Sequence, residues 1–223
     1  MTIGIHLFDI YRSANIGIFL KTNDNFCFVP RGLAITKQEK ISSLLQTDTV
    51  PISIAGSRLL GPLMAINNKG VILSRLAEDE EIETIKSVTG LKVGRLPSRF
   101  TSVGNLITAN DNGALISDVF GEESRETIES VLQVPAKKLR IANYIQVGAM
   151  ISSTNAGAVV HPTTSESELN HIRSSLKVEP EPATINGGVP FVSSGFLGNS
   201  KSILVGNQTR GGELVIIGRA FSP

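Results

Sequence analysis

The chain has 223 residues, with 21 Lys+Arg against 20 Asp+Glu, 41% hydrophobic residues, 18% charged residues and a single cysteine. That length suits one large domain or two small ones, and the balanced charge and ordinary apolar fraction exclude a disordered chain. A net charge of +1 excludes a protein that holds polyanions by bulk charge, and the lone Cys27 excludes a disulfide framework or a multi-cysteine metal site.

At the amino terminus Ile3, Ile5 and Leu7 alternate with Gly4, His6 and Phe8 before Asp9 and Arg12, which predicts a strand over 3–8. A secretory leader would need a cationic start and a longer apolar run. Two stretches carry no charge, 141–165 and 183–200, but both are rich in Gly, Ser, Thr and Asn. Neither offers the roughly 20 apolar residues of a membrane helix. A soluble, cytoplasmic protein without a membrane partner is therefore expected.

Internal repetition organises the rest of the chain. Gly17, Gly61, Gly104, Gly148 and Gly195 each open an apolar run, at steps of 44, 43, 44 and 47 residues. Polar turns follow: Asn23-Asp24-Asn25, Asn67-Asn68-Lys69-Gly70, Asn110-Asp111-Asn112-Gly113, Thr154-Asn155-Ala156-Gly157 and Asn199-Ser200-Lys201-Ser202. A second apolar run comes next, such as Val71-Ile72-Leu73 or Ala158-Val159-Val160, so each unit begins with a hairpin. Helix-spaced apolar residues come after it: Ile41, Leu44 and Leu45; Ile82 and Ile85; Ile128, Val131 and Leu132; Leu169, Ile172 and Leu176. Thr36 with Glu39, and Ser165 with Glu168, fit a capping box at the helix start. Short closing strands are predicted at 52–55, 91–96 and 138–141.

The unit is thus strand, strand, helix, strand. The fifth lacks a closing strand, because its helical stretch 213–221 is followed only by Ser222 and Pro223. Strand 3–8 is the spare, so it is expected to complete the last unit and shut a ring of five, removing open sheet edges. The fold class is α/β, a closed pseudo-fivefold propeller in a single domain over 1–223. Repeats fall at about 13–56, 57–99, 100–143, 144–190 and 191–223. The five glycines then mark strands converging on one axis, where a missing Cβ permits close backbone approach.

Chemistry is sparse. No P-loop, dinucleotide fingerprint, nucleophile elbow or paired histidine ligands stand in the chain, so no catalytic residue, metal or cofactor is assigned. Cys27 lies between Phe26 and Phe28 and reads as a buried structural thiol; His6, His161 and His171 have no adjacent carboxylate or cysteine. Glu78-Asp79-Glu80-Glu81 opens a helix, where its dipole favours carboxylates, and Glu122, Glu123, Glu126 and Glu129 dress the exposed face of the third helix. Arg58, Lys92, Arg95, Arg99, Lys137, Lys138 and Arg140 fall between a helix and the next glycine. They read as solvated surface or as a basic rim for RNA phosphates or an acidic protein patch. Phe100, Tyr144 and Phe191 each stand four residues before their glycine, in core packing or as interface anchors.

Particular runs resemble the archaeal translation initiation factor 6 family over essentially the whole chain. They are Ile54-Ala55-Gly56-Ser57-Arg58-Leu59-Leu60-Gly61, residues 63–70, Gly104-Asn105 with Thr108-Ala109-Asn110-Asp111, residues 157–162 ending in Val160-His161-Pro162, and Gly211-Gly212-Glu213-Leu214. The resemblance implies the pentein fold and a ribosome anti-association factor that binds the large subunit on its intersubunit face. Its implied partners are a ribosomal protein of the L14 family and the sarcin–ricin loop region of the large rRNA. It implies neither a DNA partner nor an enzyme; the chain is expected to act as a monomer, with a possible place in subunit biogenesis. Implied ribosome contacts are Arg58, Leu60, Pro62, Asn105 and Phe191. Pro62 stands where eukaryotic relatives carry a basic residue, and the chain stops at Ser222-Pro223 without the longer eukaryotic tail. Two other functions stay open: a pentein-type guanidine-modifying enzyme using Cys27, and a general RNA-binding module.

Overall fold

A computed structural model describes residues 3–221, so Ser222 and Pro223, which end the predicted fifth repeat, lie outside the described residues. Five three-stranded sheets, each with one long helix, stand around a common axis as a closed α/β propeller. In blade 1, Lys21–Thr22 pairs antiparallel with Phe26–Pro30, which pairs parallel with Asp48–Ile52 after the helix Ile35–Leu45. Blades 2 to 4 repeat this order. Their first strands are Met64–Ile66, Ile107–Ala109 and Ile151–Ser153, their helices Asp79–Thr89, Glu122–Leu132 and Glu166–Leu176, and their closing strands Lys92–Arg95, Ala136–Leu139 and Pro180–Pro182.

Blade 5 joins the two ends of the chain. Phe196–Gly198 pairs with Ser202–Gly206, the helix Gly211–Ala220 follows, and the closing strand is Gly4–Phe8, parallel to Ser202–Gly206 with Gly4 opposite Ser202 and Phe8 opposite Gly206. The ring therefore closes through sequence-distant pairing. Pro51 in blade 1 and Pro180 and Pro182 in blade 4 sit on outermost strands, where a missing N–H blunts the edge, and Pro30 stands at the end of the middle strand of blade 1.

Each long helix packs its apolar stripe into the seam with the preceding blade, so the core is divided into five clusters between blades. Ile82 and Ile85 of blade 2 meet Phe28, Val50 and Ile52 of blade 1, and Ile41 and Leu45 of blade 1 meet Leu197 and Leu204 of blade 5. Middle strands are covered on both sides, as their unbroken apolar runs require; Gly70–Leu73 and Ala114–Ser117 are buried throughout.

Several sequence expectations are corrected. Two closing strands lie earlier than predicted, Asp48–Ile52 and Ala136–Leu139 in place of 52–55 and 138–141. Ile54 and Ile141 are fully buried under the following turn, so the apolar signal runs on past the strand. The last helix begins at Gly211, before the predicted 213. Thr36 and Glu39 form no capping box, because that helix starts at Ile35 after Ala34 and Thr36 is already its second residue. The box of Ser165 and Glu168 is present. Glu129 is half-buried, where it accepts from the N–H of Ala136 at 2.9 Å.

Candidate functional site

Each blade is entered through a turn that leads into a single turn of helix. In blades 1, 2, 4 and 5 the turn is closed by a bridge: Ile10 with Ser13, Ile54 with Ser57, Ile141 with Tyr144 and Ile185 with Val189. Tyr11 and Arg12 (φ 51° and 59°), Ala55 and Gly56 (52° and 70°), and Ala142 and Asn143 (49° and 67°) are left-handed in succession, as in a type I′ turn. Tyr, Arg and Ala tolerate that region poorly, so something must hold them there.

The holding group is the third residue of each long helix. Glu81 accepts from the N–H of Ala55 at 2.9 Å, Glu168 from that of Ala142 at 2.8 Å, and Glu213 from those of Gly187 and Gly188 at 3.0 and 2.9 Å. In blade 1 Lys37 donates to the carbonyl of Asp9 at 3.0 Å, and in blade 3 Ser124 donates to the carbonyl of Pro97 at 2.9 Å. The chemistry differs from blade to blade, but the position does not.

Beyond the turns, four of the predicted glycines stand second in the one-turn helices Ile16–Phe19, Leu60–Leu63, Val103–Leu106 and Val147–Met150. Gly17, Gly61, Gly104 and Gly148 abut one another around the axis; a Cβ on Gly104 would stand 1.9 Å from the carbonyl oxygen of Gly61. Gly195 is the exception. It follows the 3-10 turn Val192–Ser194, and its missing Cβ faces the side chain of Asn186 instead. Ser193 occupies the fifth place on the ring, six residues before Asn199 as Gly17 is six before Asn23. The longer last step in the glycine spacing reflects this shift.

Inside the ring lies a cavity of about 210 Å³. Pro62, Asn105 and Phe191 line it together, so three of the five residues assigned by resemblance border one cavity. Arg58 is exposed on the turn before, its guanidinium 5.9 Å from the ring centre of Tyr11. Leu60 is a correction. It is 0% exposed in the core between blades 1 and 2, so it positions the turn and presents no docking surface; its neighbour Leu59 is exposed.

Phe191 and Tyr144 are both exposed and meet edge to face at 6.1 Å, backed by His161 at 6.3 and 5.7 Å from their respective centres. His161 accepts the N–H of Thr163 through Nδ1 at 3.2 Å, and burial pulls its pKa down against the upward pull of Glu168. Phe100 turns inward onto Phe120, with Arg99 stacked 5.0 Å from its centre. Exposed Tyr11, Leu59, Tyr144 and Phe191 with Arg58 and Arg99 give this end of the disc an aromatic and arginine composition typical of protein interface cores.

The opposite end is laced by hydrogen bonds between blades. Asn23 donates to the carbonyl of Asn67 at 3.0 Å, Asn67 to that of Asn110 at 3.1 Å, Asn110 to that of Thr154 at 3.1 Å, and Asn199 to that of Asn23 at 3.3 Å. Above them Asn68 donates to Asp24 and Asp111 at 2.6 Å each, Asn155 to Asp111 at 2.7 Å, and Ser200 to Asp24 at 3.1 Å. The polar turns read from the sequence as hairpin signals thus also lace the blades together.

Other candidates lie apart from this site. Cys27 is 0% exposed in the core with Ile10, Leu20 and Val29, and burial pushes its thiol up to about 12. His6 is half-buried on a closing strand and His171 is exposed on a helix. The basic residues form no continuous rim: Arg95 pairs with Asp79 and Arg140 with Asp118 at 2.6 Å each, and Lys92 donates to Ser130. Lys92 and Arg95 stand on the outermost strand of their sheet and Arg140 just past that of the next blade, and these three do not line the cavity. Among the described residues no helix is long and apolar enough to cross a membrane.

Comparison with known proteins gives a consistent relationship. Residues 5–220 match the model of the eIF-6 family. The chain is 41% identical over 98% of its length to "Translation initiation factor 6" of Cenarchaeum symbiosum (strain A), covering 99% of that protein. It is 40% identical over 96% of its length to the protein of the same name from Nitrosopumilus maritimus (strain SCM1), covering 97% of it. Among solved structures, the apo form of ArgZ, an arginine dihydrolase from the ornithine-ammonia cycle in cyanobacteria, aligns over 73% of this chain and 28% of its own at 14% identity. Its TM-score of 0.47 adds no argument about chemistry.

Proposed function

The chain belongs to the eIF-6 family of translation factors, and from that membership we propose that it binds the intersubunit face of the large ribosomal subunit and prevents association with the small one. A ribosomal protein of the L14 family and the sarcin–ricin loop region are the proposed partners, with a further role in subunit biogenesis. The factor acts as a cytoplasmic monomer without catalysis or cofactor. A rigid ring seated on one joining surface excludes the other subunit by volume, in proportion to its occupancy.

One observation carries this reading: Pro62, Asn105 and Phe191, far apart in sequence, line one cavity. Arg58 and the Tyr144–Phe191 pair stand at the same end of the disc. A standard interface needs about 800 Å² on each partner, and buried aromatic and arginine anchors dominate its energy. Near-neutral net charge suits docking on protein with limited RNA contact.

The guanidine-modifying alternative lacks support, since Cys27 is packed in a seam between blades and the cavity lining holds Lys21 but no Cys, His, Asp or Glu. A general RNA-binding role is weakened by the ion pairs that occupy Arg95 and Arg140. Sucrose-gradient co-sedimentation with isolated subunits tests the proposal. The factor should travel with large subunits and lower the yield of joined ribosomes; migration with small subunits alone, or with neither, overturns it.

A further inference from the structure

The central cavity holds a cation that no described group of the protein answers. Lys21 stands four residues past Gly17; the same position in the other blades is filled by Ala65, Thr108, Ser152 and Leu197, and all five line the cavity. Among the described residues its ammonium makes no hydrogen bond or ion pair, and the lining contains no carboxylate. Desolvation alone lowers the Lys21 pKa to about 8. Asp24 and Asp111, at the end laced by asparagines, have their oxygens taken up by Asn68, Asn155 and Ser200. Asn105, Ser152 and Ser193 also line the cavity, and among the described residues their side chains make no hydrogen bond to the protein.

A half-buried, unpaired ammonium with unspent donors around it in a cavity is attractive to an anion. We propose that the cavity is a binding site for a small inorganic oxyanion of the phosphate or sulfate class, held by Lys21 with hydroxyl and amide donors from Ser152, Ser193 and Asn105. The volume of about 210 Å³ lies below the ~300–1,000 Å³ of pockets for drug-sized ligands, so it fits an oxyanion and not a nucleotide. Donors from four different blades, Lys21, Asn105, Ser152 and Ser193, suit a tetrahedral anion with several acceptor oxygens better than a halide.

The test titrates the full-length protein with inorganic phosphate, and separately with sulfate, at ionic strength held constant with chloride. The Lys21 Cε–Hε resonances are followed by NMR and the melting temperature is recorded. Saturable movement of the Lys21 resonances, an upward shift of its pKa in the bound state and a rise in melting temperature are expected. Lys21→Met should weaken binding about tenfold or more, as loss of a charge-assisted hydrogen bond does, whereas Lys21→Arg should retain it. Lys21 resonances indifferent to both oxyanions, or a folded Lys21→Met variant that binds as tightly, overturn the proposal. Should the Met variant not fold, the wild-type titration decides by itself. Subunit binding is measured separately and does not enter this outcome.

Discussion

A Cβ placed on Gly61 would stand 1.9 Å from the carbonyl oxygen of Gly17. The contact recurs around the axis, from Gly104 to Gly61 at 1.9 Å, from Gly148 to Gly104 at 2.2 Å and from Gly17 to Ser193 at 2.0 Å. Backbone rather than a movable side chain fills each space, so any larger residue must push two blades apart. Gly61→Ala or Gly104→Ala is expected to lower unfolding free energy by roughly 2–4 kcal/mol. Gly212→Ala, in the first turn of the last helix with nothing within 4 Å, should be neutral or slightly stabilising. Denaturant midpoints at unchanged m-value distinguish the two outcomes.

Phe191→Asp and Asn105→Asp should weaken co-sedimentation with large subunits while leaving the melting temperature within a few degrees of wild type. Both side chains line the cavity without filling the core. Truncation or charging of a central aromatic anchor typically costs about 2 kcal/mol or more of binding. Unchanged sedimentation of the doubly substituted, folded protein would place the docking surface elsewhere.

The Glu213 carboxylate accepts from the N–H of Arg210 at 2.8 Å and the hydroxyl of Thr184 at 2.7 Å, besides Gly187 and Gly188. Burial raises its pKa, but these donors outweigh it and the net shift is downward from 4.5. A carboxylate depressed in the folded state stabilises the fold above its ordinary pKa, and that stability is lost as pH falls through the folded value. Glu213→Gln should therefore cost about 1–2 kcal/mol at neutral pH and flatten the acid limb of the stability curve below about pH 4.5. Chemical denaturation across pH measures both.

Cys27 should resist thiol reagents in the native protein and react only on unfolding, since it is fully buried and its thiol titrates near 12. Cys27→Ser should destabilise by about 1–3 kcal/mol, because a hydroxyl enters an apolar seam. It should leave subunit binding per folded molecule unchanged. Rapid native-state labelling would contradict the packing described.

Several features were legible in the residues. The polar turns announced five hairpins, and the apolar spacing of Ile41 and Leu45, or Ile128 and Leu132, located the helix faces that are buried. The unpaired strand at 3–8 was found by noticing that the fifth unit lacked one, and Gly4–Phe8 indeed closes blade 5. Less was legible where one signal served two elements. Ile54 and Ile141 look like strand residues because burial under a turn demands the same side chain as burial in a sheet. The clamp at the third helical position was hidden because Lys37, Glu81, Ser124, Glu168 and Glu213 share a place and not a chemistry. A repeat counted from Asn23, Asn67, Asn110, Thr154 and Asn199, rather than from glycine, would have found Ser193.

Local propensity and hydrophobic period, both properties of short stretches, thus determined the number of blades, their strand order and the ring closure. The tertiary structure alone decided which residues line the central cavity. Pro62, Asn105 and Phe191 share it only because the one-turn helices and the 3-10 turn Val192–Ser194 stand around one axis, and Leu60, one position from exposed Leu59, turns into a seam. Side-chain direction in a tight left-handed turn depends on what holds its backbone, and here that hold comes from helices some 25 or more residues away in sequence.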